Sequence, residues 1–148
     1  RVSCVYETAL GPSYEAGTLS GNPLSMASGL AMLSALESDK AFYENLGKRS
    51  QYLVNGIVSE AKAQNIPMTS NSVGGMFGLF FSSEKKVSNF SQASSCNIEL
   101  FKKFYNAMLK QGIYLAPSAY EAGFLSNAHT DDDLDKTINA ASAAFSSI

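Results

Sequence analysis

Glycines and hydroxyl groups crowd into one short stretch near the start of the chain, and their spacing suits the binding of an anion. The stretch is Gly17-Thr18-Leu19-Ser20-Gly21-Asn22-Pro23, and a run of helix-forming residues follows it. Asn22 can accept hydrogen bonds from the first free helical amides, and Pro23 suits the first helical position because it has no N–H to leave unpaired. Backbone amides, hydroxyls and the positive end of a helix dipole together favour an anionic ligand. An ordinary loop before a capped helix remains the alternative, because no Gly-Lys-Ser/Thr ending and no dinucleotide glycine spacing is present.

A lone carboxylate lies in a second unusual stretch, which runs from Ala116 to Leu125 and reads Ala-Pro-Ser-Ala-Tyr-Glu-Ala-Gly-Phe-Leu. Glu121 is surrounded there by alanines and aromatic residues, between two apolar segments. Such a group can bind a substrate amine or take part in proton transfer. A solvated loop acid or an ion-pair partner is the alternative for Glu121, and Ser118 and Tyr120 can equally be turn and packing residues.

The chain has few residues that could bind a metal ion or serve in histidine-based catalysis. His129 is the only histidine, and Cys4 and Cys96 are far apart without a Cys-x-x-Cys pattern. The consecutive acids Asp131-Asp132-Asp133 would point in different directions on a helix, so we expect them to favour its N-terminus and to bind no metal. Two isolated thiols, with no signal-peptide pattern in the first dozen residues, lead us to expect a cytoplasmic protein.

Composition and charge argue against several classes of partner. The chain has 148 residues and a formal net charge of −2, so it lacks the basic surface that nucleic acids or anionic membranes require. No apolar run approaches the roughly 20 residues of a membrane span. The length suffices for a domain with a core of its own.

Apolar periodicity predicts four helices and a small antiparallel sheet, in an α+β arrangement with helices over one sheet face. In chain order the predicted elements are a helix from Pro23 to Leu36-Glu37, a helix over 39–64 with Ser38-Asp39 as N-cap and a left-handed end at Asn65, strands over 68–73 and 76–81, a helix between Asn97 and Gly112, extended segments at 113–115 and 124–128, and a helix capped by Thr130. The Gly74-Gly75 pair predicts a hairpin, and the apolar run 76–81 predicts a central strand covered on both faces. The serine-rich residues 82–96 predict a partly ordered surface excursion, and the type of 1–10 stays open between a helix end and a strand.

Three stretches resemble the glutamate-1-semialdehyde 2,1-aminomutase family of pyridoxal-phosphate enzymes. They are 17–31, the run 75–81 that reads Gly-Met-Phe-Gly-Leu-Phe-Phe, and 112–124 followed by Ala-His-Thr-Asp at 128–131. The three occur in the family's order across nearly the whole chain. Related class III aminotransferases share a looser Gly-Thr-x-x-Gly-Asn-Pro, whereas Ala-Pro-Ser-Ala-Tyr-Glu-Ala-Gly-Phe is far more specific to the aminomutase.

The resemblance implies a fragment of the α/β fold type I of pyridoxal-phosphate-dependent transferases. Residues 1–37 would be the end of the large cofactor domain with a bridging helix, and 38–148 the C-terminal α+β small domain, an antiparallel sheet covered by helices. The implied reaction converts glutamate-1-semialdehyde to 5-aminolevulinate in tetrapyrrole synthesis, in a homodimer that uses pyridoxal 5'-phosphate. By the same resemblance, Gly17 and Thr18 bind the phosphate of the neighbouring subunit's cofactor, and Glu121 binds the substrate, with Ser118 beside it.

The chain departs from the family in one important respect. Family chemistry needs a lysine that binds the cofactor covalently, an aspartate at the pyridinium nitrogen and an aromatic residue over the ring, all upstream of the Thr18 stretch. None of the nine lysines fits, because they lie on predicted helices among polar neighbours or in the serine-rich excursion. We therefore expect no catalytic residue in this chain and no turnover by the chain alone. Two other functions stay open: another class III aminotransferase, acting on ornithine or an ω-amino acid, and a non-catalytic α+β interaction module.

Overall fold

A computed structural model describes residues 17–148, so the stretch 1–10 and Cys4 lie outside the described residues. The described part contains five helices and one sheet of three strands. They are α1 Pro23–Ser38, α2 Phe42–Ala63, β1 Thr69–Val73, β2 Met76–Phe80, α3 Phe90–Ser94, α4 Ile98–Lys110, β3 Gly123–Phe124 and α5 Asp131–Phe145. The chain divides after Lys40 into two compact units, each of which has its own description below.

Helix α1 of the first unit begins as predicted. The Asn22 side-chain oxygen accepts hydrogen bonds from the amides of Leu24 (2.9 Å) and Ser25 (3.3 Å), and Pro23 occupies the first helical turn. Within the described residues α1 buries no side chain, and its large apolar residues are exposed: Leu24, Met26, Leu30, Met32 and Leu33. Its cap and its local helix propensity are therefore what the described residues contribute to its stability.

Helix α2 begins later than predicted. Because α1 continues to Ser38, Asp39 becomes the C-cap of α1, and Ala41 is the N-cap of α2, so the predicted N-cap at Ser38-Asp39 is wrong. The predicted end is confirmed: Asn65 has a φ of +59°, and the next amide, that of Ile66, donates to the Ala61 carbonyl (2.9 Å). A left-handed residue at this point satisfies carbonyls that the helix would otherwise leave unpaired.

Caps that the sequence predicted also delimit α4 and α5, whereas α3, capped by Asn89, lies within the predicted excursion and was not predicted as a helix. The Asn97 side chain accepts from the Leu100 amide (2.9 Å) at the start of α4, and Gly112, with a φ of +81°, follows its end. Thr130 and Asp133 form a capping box at the start of α5. The two N-terminal caps are local side chain-to-backbone bonds, and Gly112 takes a left-handed conformation that favours glycine, which is why sequence alone predicts all three.

The core of the second unit lies between the sheet and the three long helices. The rings of Phe104 and Phe145 stack with centroids 4.8 Å apart, and Phe81 packs edgewise on Phe104 at 5.5 Å. The apolar periodicity that predicts α4 and α5 is confirmed by the side chains that they bury in this core, although Leu109 at the end of α4 shares the periodicity and is exposed. The buried side chains are Phe101, Phe104, Met108, Leu134, Ala141 and Phe145. Burial of these side chains is the main stabilising contribution to this unit.

The predicted hairpin is confirmed, and so is the central position of its second strand. β1 and β2 are antiparallel with Val73 opposite Met76, and β3 pairs antiparallel with the other edge of β2. The predicted cover on both faces of β2 is wrong, because Met76 is 44% exposed and Phe80 is only half-buried. The reason is that the long helices pack on the face that carries Phe77, and the excursion 82–96 reaches only part of the other.

The segment after α4 pairs less than predicted. β3 is limited to Gly123–Phe124, and 113–115 is no strand. Ile113 and Leu115 instead pack as half-buried side chains against the core. The apolar residues of this segment are therefore partly buried by packing against the core, and the segment needs no pairing with another strand.

Candidate functional site

The Thr18 stretch forms two overlapping turns. The Gly17 carbonyl accepts from the Ser20 amide (2.9 Å), the Leu19 carbonyl accepts from the Asn22 amide (3.0 Å), and Gly21 has a φ of +74°. A Cβ on Gly17 would lie 3.0 Å from Ser20 Oγ, so a side chain there would crowd the turn. Thr18 itself is exposed, and its hydroxyl has no hydrogen-bond partner within 17–148.

The start of α1 has fewer free backbone amides for an anion than the sequence predicts. Asn22 already occupies the amides of Leu24 and Ser25, and Pro23 has no N–H to donate. An anion at this turn would therefore be held by the Thr18 hydroxyl and the turn amides, with the helix dipole adding its field. A hydroxyl and free turn amides at the positive end of a helix can hold a phosphate group.

Ser118 and Glu121 meet in a second turn, in the other unit. The Glu121 amide donates to the Ser118 carbonyl (3.2 Å), and the Tyr120 amide donates to Ser118 Oγ (3.2 Å). The Ser118 hydroxyl thus shapes the turn. Glu121 is exposed, and no lysine or arginine of the described residues forms an ion pair with it.

Glu121 lies where two cavities adjoin. A cavity of about 250 Å³ lies on the Phe77 side of the sheet, and one of about 490 Å³ lies on the other face. Among the described residues that line the larger cavity, Glu121 is the only charged one. The rest of its wall is mainly apolar and aromatic: Val73, Met76, Phe80, Val87, Phe90 and Tyr120. A carboxylate next to an apolar wall suits a small ligand that carries an amine.

Two glycines allow the segment 116–125 to lie directly against the hairpin. A Cβ on Gly75 would lie 2.7 Å from the Leu125 carbonyl oxygen, and the Leu125 amide donates to the Gly75 carbonyl (2.7 Å). A Cβ on Gly123 would lie 2.4 Å from the ring of Phe77. The segment that carries the Glu121 turn therefore lies so close to the sheet that larger residues at these two positions would clash with it.

A polar cluster at the start of α5 was not predicted from the sequence. Arg49 Nε pairs with Asp131 Oδ1 (3.1 Å), and the same guanidinium donates to the His129 carbonyl. The His129 ring nitrogen Nδ1 accepts from the Ser126 amide (3.0 Å). These contacts join α2 to α5, so His129 and Asp131 have structural partners. The signal in the sequence was weak, since Arg49 and Asp131 are 82 residues apart.

The remaining candidates for chemistry have structural explanations. Hydrogen bonds from the Thr130 amide and hydroxyl hold the pKa of the Asp133 carboxyl below its ordinary value. Burial raises the pKa of the Cys96 thiol, which disfavours the reactive thiolate. No group of three or more metal-ligating side chains occurs in the part of the chain that the structure describes.

The lysines of the chain lie outside the lining of both cavities beside Glu121. All nine are exposed. Two of them line other cavities of the second unit, Lys136 beside Gly112 and Lys48 beside Arg49. Among the described helices, none is both long and apolar enough to cross a lipid bilayer.

Comparison with known proteins relates the chain to solved structures, whereas no protein-family model matches it. An omega-transaminase from Sphaerobacter thermophilus matches with a TM-score of 0.73 and 20% identity over 98% of this chain and 33% of the other. A β-phenylalanine aminotransferase from Variovorax paradoxus matches with a TM-score of 0.77 and 22% identity over 99% of this chain and 33% of the other. A transaminase with pyridoxal phosphate bound matches with a TM-score of 0.70 and 19% identity over 97% of this chain and 32% of the other.

These matches cover nearly the whole chain but only about a third of each transaminase. At such identities they establish the fold. The chain therefore has the α/β fold of pyridoxal-phosphate-dependent transaminases, in the part that combines helices with a small antiparallel sheet.

Proposed function

We propose that this chain is the C-terminal part of a pyridoxal-phosphate-dependent enzyme that converts glutamate-1-semialdehyde to 5-aminolevulinate. The observation that carries the proposal is the Glu121 turn, whose unpaired carboxylate is the only charge among the described residues on the wall of the larger cavity. The sequence of that turn is the part of the chain that most specifically resembles the aminomutase. In this proposal 1–37 complete the cofactor domain and 38–148 form the small domain.

The proposed role of Thr18 is to bind the cofactor phosphate of the neighbouring subunit. Its exposed hydroxyl donates a charge-assisted hydrogen bond to a phosphate oxygen, and Gly17 keeps the turn open beside it. When bound, pyridoxal 5'-phosphate supplies the electron sink for chemistry at the amine-bearing carbon. A turn that serves the partner's cofactor makes the proposed enzyme a homodimer, and the free thiol of Cys96 suits a cytoplasmic one.

The proposed role of Glu121 is to bind the substrate's ammonium group at the mouth of the cavity. Its charge is screened because the side chain is exposed, so it attracts and orients the amine with modest strength. Ser118 holds the turn that carries it. Since all nine lysines are exposed, the proposal assigns turnover to the complete protein and none to these 148 residues alone.

An aminotransferase acting on a β- or ω-amino acid is the second candidate. The matches to an omega-transaminase and a β-phenylalanine aminotransferase favour it. The two reactions differ in stoichiometry. The aminomutase moves an amino group within one molecule, whereas an aminotransferase must pass it to a separate oxo acid.

This difference provides the test. The protein expressed from its complete gene is loaded with pyridoxal 5'-phosphate and given glutamate-1-semialdehyde without an oxo acid, or β-phenylalanine with 2-oxoglutarate. Formation of 5-aminolevulinate in the first reaction supports the proposal. Amino transfer only in the second supports the alternative and refutes the aminomutase.

A matched pair of variants tests the role of Glu121. Glu121→Gln should raise the KM for the semialdehyde about 2- to 5-fold, as expected for a solvent-exposed ion pair. Glu84→Gln removes another exposed carboxylate, in the excursion, and should leave the KM unchanged. Equal KM values for both variants would refute the assigned role.

A further inference from the structure

The excursion 82–96 reaches the Glu121 turn through one aromatic contact. Phe90, the first residue of α3, packs on Tyr120 with ring centroids 5.9 Å apart and planes tilted by 37°. Both rings line the larger cavity together with Glu121. Phe90 is 75% exposed, so packing in the core does not explain its position.

Hydrogen bonds fix the part of the excursion that precedes and carries Phe90. Asn71 on β1 donates to the Val87 carbonyl (2.6 Å), and the Val87 side chain is buried. The Ser88 amide donates to the side chain of Gln92 (2.8 Å), whose own amide donates to the side chain of Asn89 (2.9 Å). These bonds fix both ends of the first turn of α3, where Phe90 lies.

Phe90 contacts the Glu121 turn at Tyr120, in the centre of the turn. Tyr120 lies between Ser118 and Glu121, and the two hydrogen bonds of the turn join only neighbours in sequence. Such bonds set the shape of the turn. The pairing of Gly123 with β2 holds the segment that follows the turn, and the Tyr120 ring joins the turn itself to the excursion, which Asn71 joins to β1. We infer that Phe90 is a positioning residue for Glu121, an inference that rests on the proposed role of Glu121 in binding substrate.

The expected effect follows from the strength of an aromatic pair. Loss of such a contact shifts an equilibrium about 2- to 12-fold. Phe90→Ala should therefore raise the KM for the amine substrate by a factor in that range and change kcat less than about 2-fold, because a phenyl ring has no group that can transfer a proton or form a covalent bond with the substrate. Phe90→Tyr keeps a ring and should restore the KM.

The matched control is Tyr43→Ala. Tyr43 is also an exposed aromatic residue, at 65% exposure, and its ring contacts Phe42 at 5.1 Å. It lines neither cavity beside Glu121. The control should leave the KM and the Glu121 turn unchanged.

Hydrogen exchange of the protein expressed from its complete gene tests positioning without any activity. In Phe90→Ala the amides of Tyr120 and Glu121 should exchange about 2- to 12-fold faster than in the wild type, and Tyr43→Ala should leave them unchanged. Unchanged exchange in Phe90→Ala overturns the inference, whatever the enzyme's activity. Faster exchange with an unchanged KM overturns the link to substrate binding while the proposed function stands. A wild type without turnover refutes the proposed function, and the exchange rates still decide whether Phe90 positions the turn.

Discussion

The crossing of α2 and α5 at Gly56 permits a quantitative test of how this unit packs. A Cβ at Gly56 would lie 2.4, 2.8 and 3.3 Å from three carbons of Ile138. Overpacking of this kind costs about 1–3 kcal/mol, and replacing a helical glycine by alanine returns about 0.5–1 kcal/mol. Gly56→Ala should therefore lower the free energy of unfolding by up to about 2.5 kcal/mol.

Gly47 provides the matched control in the same helix. A Cβ there would lie 3.9 Å from the Cα of Gly74, which is an ordinary contact. Gly47→Ala should therefore raise the free energy of unfolding by about 0.5–1 kcal/mol, since only the propensity gain remains. The two variants differ by about 1–3 kcal/mol, the overpacking cost alone.

Denaturant unfolding followed by circular dichroism gives these free energies, and a double-mutant cycle isolates the cause. The three nearest atoms all belong to Ile138 and are absent in alanine, so Gly56→Ala in an Ile138→Ala background should stabilise. The cycle should give a coupling energy of about 1–3 kcal/mol. If Gly56→Ala costs the same in both backgrounds, the packing argument is refuted.

Three further predictions concern a cap, a buried hydroxyl and a close backbone contact. The Thr130 hydrogen bonds lower the pKa of Asp133 in the folded state, so the ionised carboxylate stabilises the fold above its ordinary pKa, and this stabilisation is lost as the pH falls through the lowered value. The thermal midpoints of the wild type and Asp133→Asn should therefore converge in strong acid, and a difference that stays constant with pH would contradict this. Ser50 is buried, and its hydroxyl has no hydrogen-bond partner among the described residues, so Ser50→Ala should raise the free energy of unfolding, measured in denaturant, by about 1 kcal/mol. A lower free energy of unfolding in this variant would show that the hydroxyl does form a hydrogen bond. Gly75→Ala sets a Cβ against the Leu125 carbonyl, so it should destabilise by about 1–3 kcal/mol and speed hydrogen exchange of the Leu125 amide, and unchanged exchange would contradict the close approach.

Features that depend on neighbouring residues were predictable from the sequence. Asn22, Asn97 and Thr130 cap their helices through bonds to amides two or three residues away. Asn65 ends α2 because a left-handed residue is needed where an apolar periodicity stops before a proline. Local chemistry decided each of these positions, so one sequence sufficed.

Features that depend on distant residues were not predictable. The apolar run of β2 indicated cover on both faces, but cover depends on where the helices pack, and Met76 remains partly exposed. The contact of Phe90 with Tyr120 and the ion pair of Arg49 with Asp131 join residues far apart in sequence, and no periodicity signals them. Cavities are formed by such contacts, so the surroundings of Glu121 required the structure.

The central claim is that the Thr18 turn binds a cofactor phosphate, and cofactor affinity tests it most directly. In the protein expressed from its complete gene, Thr18→Val removes the hydroxyl at nearly constant volume, and Ser28→Ala removes an exposed hydroxyl from α1 as a control. Titration with pyridoxal 5'-phosphate should show affinity about 10- to 150-fold weaker for Thr18→Val, the effect of one hydrogen bond to a charged group, and unchanged affinity for Ser28→Ala. Wild-type affinity in Thr18→Val would contradict the claim.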